Sequence, residues 1–149
     1  MGSTGTILLV DDSPGDLQLL TRTLGQLGVE NPLETCSSAD EAINYLETRE
    51  LPAVMLLDLK MPGHDGFYVL RRVKSSPVWR DLIVIVLTTS SDIYDVRTAY
   101  ELGANSFLTK PVNLTEFKDM ISAFHKYWIV HALPAPPHPR VIQKVETAA

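Results

Sequence analysis

The sequence predicts an α/β protein with a five-stranded, doubly wound parallel sheet that has helices on both faces. Two observations favour this class. Short apolar runs typical of buried strands alternate with longer stretches of helical periodicity, and Gly, Pro and Asp residues mark the junctions between them. The expected strands are 6–10, 33–36, 53–57, 82–87 and 106–109. The expected helices are 14–27, 39–49, 65–75, 92–102 and 113–130.

The first helix has the clearest boundaries. Ser13 is a suitable N-cap, Pro14 suits the first turn, and Gly28 follows the last turn. Asp40 lies early in the second helix, where a carboxylate interacts favourably with the helix dipole, and Gly103 follows the end of the fourth helix. The apolar residues of the first helix recur at helical spacing: Leu17, Leu20, Leu24 and Leu27. These features support the boundaries of each β-α unit.

Composition and charge exclude several classes of function. The 149 residues fit one domain, and a net charge of −5 argues against a nucleic-acid binder with a broad basic face. The single cysteine, Cys36, cannot form an internal disulfide and is expected to be a small core residue. The first six residues lack the features of a signal peptide, and no apolar run reaches membrane-spanning length. We expect a cytoplasmic protein that binds neither membrane nor nucleic acid.

Polar residues follow the expected strands where each one leaves the core. Asp11 and Asp12 follow the first strand, Asp58 the third, Thr88 the fourth and Lys110 the fifth. Open parallel sheets bind ligands at the carboxyl ends of their strands. We therefore expect three acids, a hydroxyl and an ammonium group at one edge of the sheet.

This set of residues suits phosphoryl chemistry. Three neighbouring carboxylates repel one another, and a divalent cation such as Mg²⁺ relieves that repulsion. An aspartate can attack a phosphoryl group and form an acyl phosphate. The Lys110 ammonium group and the Thr88 hydroxyl could then neutralise and hydrogen-bond the phosphoryl oxygens. Asp58, Thr88 and Lys110 are the predicted catalytic set, and Mg²⁺ is the predicted cofactor.

The motifs resemble the signature of response-regulator receiver domains of two-component signalling over roughly residues 5–128. The resemblance implies a flavodoxin-like sheet with strand order 2-1-3-4-5. It also implies that Asp58 accepts phosphate from a sensor histidine kinase, with no enzymatic turnover beyond self-catalysed phosphotransfer and dephosphorylation. The motifs that carry the resemblance are Asp11-Asp12, Asp58 with Met61-Pro62-Gly63 and Asp65-Gly66, Thr88, and Lys110-Pro111.

The resemblance also assigns finer roles. It implies that Asp12 binds Mg²⁺ directly and Asp11 partly through water, with Asp58 and the Lys60 backbone carbonyl as further ligands. It implies a cis peptide bond between Lys110 and Pro111. Phe107 matches the aromatic switch position of the family, in which Thr88 moves toward the phosphate while the ring turns inward. From the residues alone, Phe107 could equally be a static core aromatic.

The residue at position 60 and the oligomeric state distinguish the alternative functions. Haloacid-dehalogenase-type phosphatases also use an aspartate nucleophile and Mg²⁺, but they need a second aspartate two residues further on, where this chain has Lys60. A phosphorylation-independent scaffold is disfavoured by the intact set of acids. A chemotaxis-type receiver would be monomeric and is the remaining alternative.

The chain is expected to divide into a receiver domain at 1–130 and a Pro-rich extension at 131–149. Leu114, Phe117, Ile121, Phe124 and Trp128 form an apolar stripe that we expect to face the core. The end of the helix is apolar on several sides, so we expect a homodimer through this helix and a C-terminal arm, the alternative being a disordered tail. The residues assigned to the dimer and arm are Phe124, Tyr127, Trp128, Ile129, Leu133, Pro136, Val141 and Ile142.

Tyr127-Trp128 and the extension resemble the single-domain regulators that work with cyanobacterial phytochromes and bacteriophytochromes. This resemblance implies a phytochrome-type histidine kinase as the phosphoryl donor and dimers whose C-terminal segments reach the partner subunit. About twenty residues follow the last helix, which is too short for an output domain. We therefore expect a stand-alone regulator that signals by protein contact.

Overall fold

The computed structural model describes residues 4–133 together with 135 and 136. The strands are β1 (Ile7–Val10), β2 (Leu33–Cys36), β3 (Val54–Leu57), β4 (Ile83–Thr88) and β5 (Ser106–Thr109). The helices are α1 (Pro14–Gln26), α2 (Ala39–Thr48), α3 (Gly66–Ser75), α4 (Ile93–Glu101) and α5 (Leu114–Phe124). All neighbouring strands pair in parallel, in the order β2-β1-β3-β4-β5. The predicted doubly wound sheet and its strand order are confirmed.

The sheet separates two apolar cores because successive side chains of a strand point to opposite faces. In β1, Leu8 and Val10 belong to the core beneath α2, α3 and α4, whereas Ile7 and Leu9 belong to the core beneath α1 and α5. The central strands are buried on both faces, which explains their continuous apolar runs. Both cores leave the carboxyl edge of the sheet free for polar residues.

Side-chain caps fix where the helices begin beside that edge. Ser13 accepts a hydrogen bond from the Asp16 N–H at 3.2 Å, as its predicted N-cap role requires. Asp65 caps α3 in the same way, accepting from the Tyr68 N–H at 3.0 Å. Gly28 has a φ of 77° just past α1, a conformation that glycine adopts without strain.

The last helix differs from the expected single helix at 113–130. It ends at Phe124 and continues as a π-helix over His125–His131, in which backbone hydrogen bonds span five residues. The residue that continues the buried stripe is therefore Ile129, five positions after Phe124, and Trp128 is only half-buried. Leu114, expected in the stripe, is 52% exposed.

This change of helical register corrects part of the predicted dimer surface. Phe124 and Ile129 are buried in the core of the chain itself, so their assignment to an exposed contact surface is wrong. Tyr127 and Leu133 are 60% and 82% exposed, and Pro136 is also exposed. Trp128 packs partly against the core beneath α1 and α5 and meets the Tyr127 ring edge-on, with the ring centroids 4.8 Å apart. Val141 and Ile142 lie outside the described residues.

Within the described part of the chain, no helix combines the length and apolar character that crossing a bilayer requires.

Candidate functional site

The register of β1 and β3 brings two acids together. Val10 pairs with Leu57, so Asp11 and Asp58 follow neighbouring positions, and the Asp58 N–H donates to the Val10 carbonyl at 2.9 Å. Asp11 is 2% exposed and Asp58 is 6% exposed, whereas Asp12 lies in solvent. One carboxylate oxygen from each of the three lies within 4.8 Å of the others. The predicted convergence of Asp11, Asp12 and Asp58 is present.

Burial dominates the electrostatics of Asp58. Desolvation raises the pKa of this carboxyl group, and the negative charge of Asp11 raises it further. The Lys110 charge and the nearby Thr88 hydroxyl act in the opposite direction without overcoming burial. The acid at the centre of the site therefore carries its charge at a cost, which a bound cation would relieve.

Lys110 reaches the site from the end of β5. Its backbone N–H donates to the Thr88 carbonyl at 2.7 Å, and its Nζ donates to Asp11 Oδ2 at 2.5 Å and to Asp16 Oδ2 at 2.8 Å. Burial lowers the pKa of this ammonium group, but the hydrogen bonds to Asp11 and Asp16 and the charge of Asp58 outweigh it, so the pKa is raised. Lys110 is thus a firmly charged cation beside Asp58.

Asp16 was not among the predicted site residues. It lies in the first turn of α1, where an acid is unremarkable because it favours the helix dipole. The one available indication was its position one helical turn beyond Asp11-Asp12, on the helix that begins at the site.

Thr88 ends β4 with its hydroxyl buried and without a hydrogen-bond partner among the described residues. The hydroxyl is close enough to the Asp58 carboxylate to lower its pKa, yet it makes no hydrogen bond to it. A buried, unpaired hydroxyl is costly. Its position suits a group that would be attached to Asp58 and would accept a hydrogen bond.

The loop between β3 and α3 is packed closely against Asp58. A Cβ on Gly66 would lie 2.2 Å from the Asp58 carbonyl oxygen, and the Gly66 N–H donates to the Leu59 carbonyl at 3.0 Å. The Lys60 side chain points across the site to Asp95 of α4, with Nζ and Oδ2 3.1 Å apart. Asp95 also accepts from the Ser90 hydroxyl at 2.7 Å. This network was not predicted.

Two further expectations concern Phe107 and Pro111. Phe107 is half-buried against the core beneath α2, α3 and α4, and its backbone N–H donates to the Tyr100 hydroxyl at 3.1 Å. The described residues contain no cis peptide bond, so the expected cis bond between Lys110 and Pro111 is wrong. The trans form is the intrinsically favoured one even before proline.

His64 lies in the loop after Asp58, between β3 and α3. Its Nδ1 is 2.9 Å from Asp40 Oδ1 at the start of α2, and its ring stacks on Tyr68 with centroids 3.9 Å apart. The imidazole is thus engaged on the surface formed by α2 and α3.

The residues present fit a divalent cation and a phosphoryl group. Three clustered carboxylate oxygens are the hard ligands that Mg²⁺ prefers. The buried hydroxyl of Thr88 and the ammonium group of Lys110 supply a donor and a charge for phosphoryl oxygens. The arrangement can therefore support acceptance of a phosphoryl group by Asp58.

Comparisons with known proteins agree with this geometry. The family model described as "Response regulator receiver domain" matches residues 7–122. The probable methanogenesis regulatory protein FilR2 of Methanothrix harundinacea is 36% identical over 128 residues, which cover 83% of each chain. Response regulator Rcp1 of Synechocystis is 34% identical over 129 residues, which cover 83% of this chain and 88% of Rcp1.

Solved structures show the same fold. The Mn²⁺-bound form of Rcp1 is 31% identical with a TM-score of 0.82, over 89% of this chain and 99% of that one. The phosphorylated cyanobacterial phytochrome response regulator RcpA is 29% identical with a TM-score of 0.83, over 90% and 100%. The bacteriophytochrome response regulator RtBRR is 32% identical with a TM-score of 0.72, over 98% and 91%. With its sheet order, its acid cluster and these matches, the chain belongs to the family of response regulator receiver domains.

Proposed function

We propose that this chain is a single-domain response regulator in which Asp58 accepts a phosphoryl group from a sensor histidine kinase. The observation that carries the proposal is the buried hydroxyl of Thr88, which lies beside the buried Asp58 carboxylate and has no hydrogen-bond partner within residues 4–133. A phosphoryl group on Asp58 would bring an acceptor oxygen close to that hydroxyl, which would then gain a hydrogen bond.

The reaction follows from the positions of three side chains. An Asp58 carboxylate oxygen bonds to phosphorus as the bond from phosphorus to the donor breaks, which gives an acyl phosphate. Lys110 pairs with one phosphoryl oxygen and Thr88 donates to another, so that charge and position stabilise the transferring group. The same groups serve the hydrolytic step, in which water attacks phosphorus, the bond from phosphorus to Asp58 breaks, and inorganic phosphate leaves.

Asp11, Asp12 and Asp58 would hold Mg²⁺, together with the backbone carbonyl of Lys60. When bound, the cation neutralises charge on the phosphoryl oxygens and on the clustered acids. The Mn²⁺-bound form of Rcp1 and the phosphorylated form of RcpA support a metal-dependent phosphoacceptor in this chain as well.

The proposed switch involves Thr88 and Phe107. A phosphoryl group on Asp58 draws the Thr88 hydroxyl toward it, which frees space at the end of β4. The half-buried Phe107 ring on β5 then turns further inward and changes the exposed surface around α4 and β5. Signalling follows by protein contact rather than by DNA binding.

We further propose a phytochrome-type kinase as donor, a cytoplasmic location, and a homodimer through the last helix and the segment beyond it. The relatives RcpA and RtBRR support the choice of kinase. The exposed Tyr127, Val130 and Leu133 supply an apolar surface for the dimer.

A monomeric chemotaxis-type receiver is the alternative, and the molecular mass in solution distinguishes a monomer from a dimer. A haloacid-dehalogenase-type phosphatase is disfavoured because Lys60 replaces its second aspartate.

Phosphotransfer from the host's histidine kinases, including any phytochrome, tests the proposal. Wild type should take up label stoichiometrically in the presence of Mg²⁺, and Asp58→Asn should take up none. Asp119→Asn on α5 makes the same charge change at an exposed position and should label like wild type. Equal labelling of wild type and Asp58→Asn would defeat the assignment, and repeated turnover of small phosphate esters would favour the phosphatase.

A further inference from the structure

Lys110 is held on the side of the site that faces α1. Its ammonium group is only 10% exposed and donates to Asp11 and Asp16, at 2.5 and 2.8 Å. Among the described residues these two are its ion-pair partners, and Asp58 acts on it only through its charge. The cation that a phosphoryl group on Asp58 would need is therefore engaged elsewhere.

The turn that leads into α1 links the Asp11 carboxylate to the backbone of Asp16. The Ser13 N–H donates to Asp11 Oδ1 at 2.9 Å, and the Ser13 hydroxyl accepts from the Asp16 N–H at 3.2 Å. Ser13 thus fixes Asp11 and Asp16 relative to each other. Asp11 belongs to the acid cluster, whereas the Asp16 carboxylate has Lys110 as its ion-pair partner among the described residues. Asp16 is 42% exposed and is not part of that cluster.

We propose that Asp16 is a positioning residue that holds Lys110 in the unphosphorylated protein and competes with the phosphoryl group on Asp58 for its ammonium group. The inference rests on the proposed function of Asp58. An ammonium group has three donors in a compact arrangement, and turning toward Asp58 draws it away from Asp16. A contact made only in the unphosphorylated state shifts the equilibrium toward that state. Asp16 therefore sets how readily the site accepts a phosphoryl group.

The test measures binding of beryllofluoride, a tetrahedral phosphoryl mimic, with saturating Mg²⁺ by titration calorimetry. Asp16→Asn should bind beryllofluoride about two- to fivefold more tightly than wild type, the range expected for loss of a half-exposed ion pair. Asp119→Asn, the matched charge change on α5, should bind like wild type. A purely structural role for Asp16 would lower the free energy of unfolding and leave this affinity unchanged, which would overturn the inference.

A second comparison separates the contact from general charge repulsion. Removing any nearby negative charge favours an anion at Asp58 to some degree. In Lys110→Met, titrated over a range wide enough for weaker binding, the additional Asp16→Asn change should increase affinity clearly less than it does in wild type. An unchanged gain in that background would show that repulsion alone acts, and the inference would fail. If wild type with Mg²⁺ bound no beryllofluoride, the proposed function of Asp58 itself would fail.

Discussion

Asp58 carries a negative charge in a buried position, where an ionised group is energetically costly. The side chain is buried, the negative charge of Asp11 disfavours its ionised form, and among the described residues Lys110 is the cation that favours it. We therefore expect the charged Asp58 to lower the free energy of unfolding. Binding of a metal ion and a phosphoryl group would offset this cost.

Asp58→Asn should stabilise the metal-free protein, and the gain should depend on pH. The folded-state pKa of Asp58 is raised, so wild type is least penalised below the ordinary value of 3.8 and loses stability as pH rises through the raised pKa. The gain from Asp58→Asn should be small in acid and reach ~0.5–2 kcal/mol at neutral pH. Urea unfolding in EDTA from pH 4 to 7.5 measures it. A gain that shrinks as pH rises would contradict the raised pKa.

A second threonine provides a comparison for the buried hydroxyl of Thr88. Thr23 in α1 also has a buried hydroxyl without a partner among the described residues. Thr88→Val and Thr23→Val should each raise the free energy of unfolding by about 1 kcal/mol, because each removes an unsatisfied buried hydroxyl.

The two variants should differ in phosphoryl binding. Thr88→Val should weaken the affinity for Mg²⁺ and beryllofluoride roughly 10- to 100-fold, the cost of losing a hydrogen bond to a charged group. Thr23→Val should leave that affinity unchanged. Equal affinities in both variants would remove Thr88 from the proposed phosphoryl site.

At the scale of elements, the junction of β3 and α3 sets the geometry of the phosphoacceptor. Gly66→Ala would place a methyl group against the Asp58 backbone, which cannot move aside easily because β3 is central in the sheet. We expect a loss of about 1–3 kcal/mol in the free energy of unfolding, together with weaker Mg²⁺ binding.

Gly25→Ala is the matched control for this change. Gly25 lies near the end of α1, where an added Cβ meets nothing within 4 Å, and it should gain up to ~1 kcal/mol because alanine is the better helix former. Urea unfolding and Mg²⁺ titration measure both variants. If Gly66→Ala behaved like Gly25→Ala, the close packing against Asp58 would be without consequence.

The π-helix after α5 determines which residues of the last helical segment face the core. It turns Ile129 inward and leaves Tyr127 outward, so the aromatic pair Tyr127 and Trp128 lies at the boundary between core and surface. A strictly α-helical continuation would have placed Trp128 over Phe124 and Phe117 instead. The register of this one turn therefore decides which apolar residues are available for contact with another subunit.

At the scale of the whole molecule, the proposed homodimer can be tested through its apolar surface and the segment that follows it. Tyr127, Val130 and Leu133 lie within seven residues of one another and are 60%, 40% and 82% exposed, so they supply apolar surface for a contact with another subunit. If the segment after Leu133 contributes to the dimer, a chain truncated after Leu133 should dissociate at concentrations where the full chain remains dimeric. Multi-angle light scattering over a dilution series measures this.

The controls separate the arm from the helix. Tyr127→Ser in the full chain tests the helical surface alone, and Lys118→Ser changes an exposed residue of α5 without removing apolar surface. A dimer of unchanged affinity after truncation would assign no role to the arm, and the helical surface would then have to carry the contact. A monomer for the full chain would favour the chemotaxis-type alternative.

Much of the fold and of the candidate site could be predicted because both depend on local patterns. Each strand is an apolar run with a polar residue at its end, and parallel pairing brings all such ends to one edge. Asp11, Asp12, Asp58, Thr88 and Lys110 could therefore be grouped before any contact was known. The start of α1 followed from the Ser13 cap, which acts within one turn.

The sequence by itself thus determined the class of fold, the edge that carries the chemistry and the residues gathered there. The tertiary structure alone decided the contact between Asp16 and Lys110, which are 94 positions apart, and the choice of Ile129 over Trp128 for the core. It also decided that the Thr88 hydroxyl is buried without a hydrogen-bond partner in the described part of the chain. These features depend on how α1 and α5 pack against the finished sheet, and packing distances of a few ångströms are not encoded in the spacing of apolar residues along the chain.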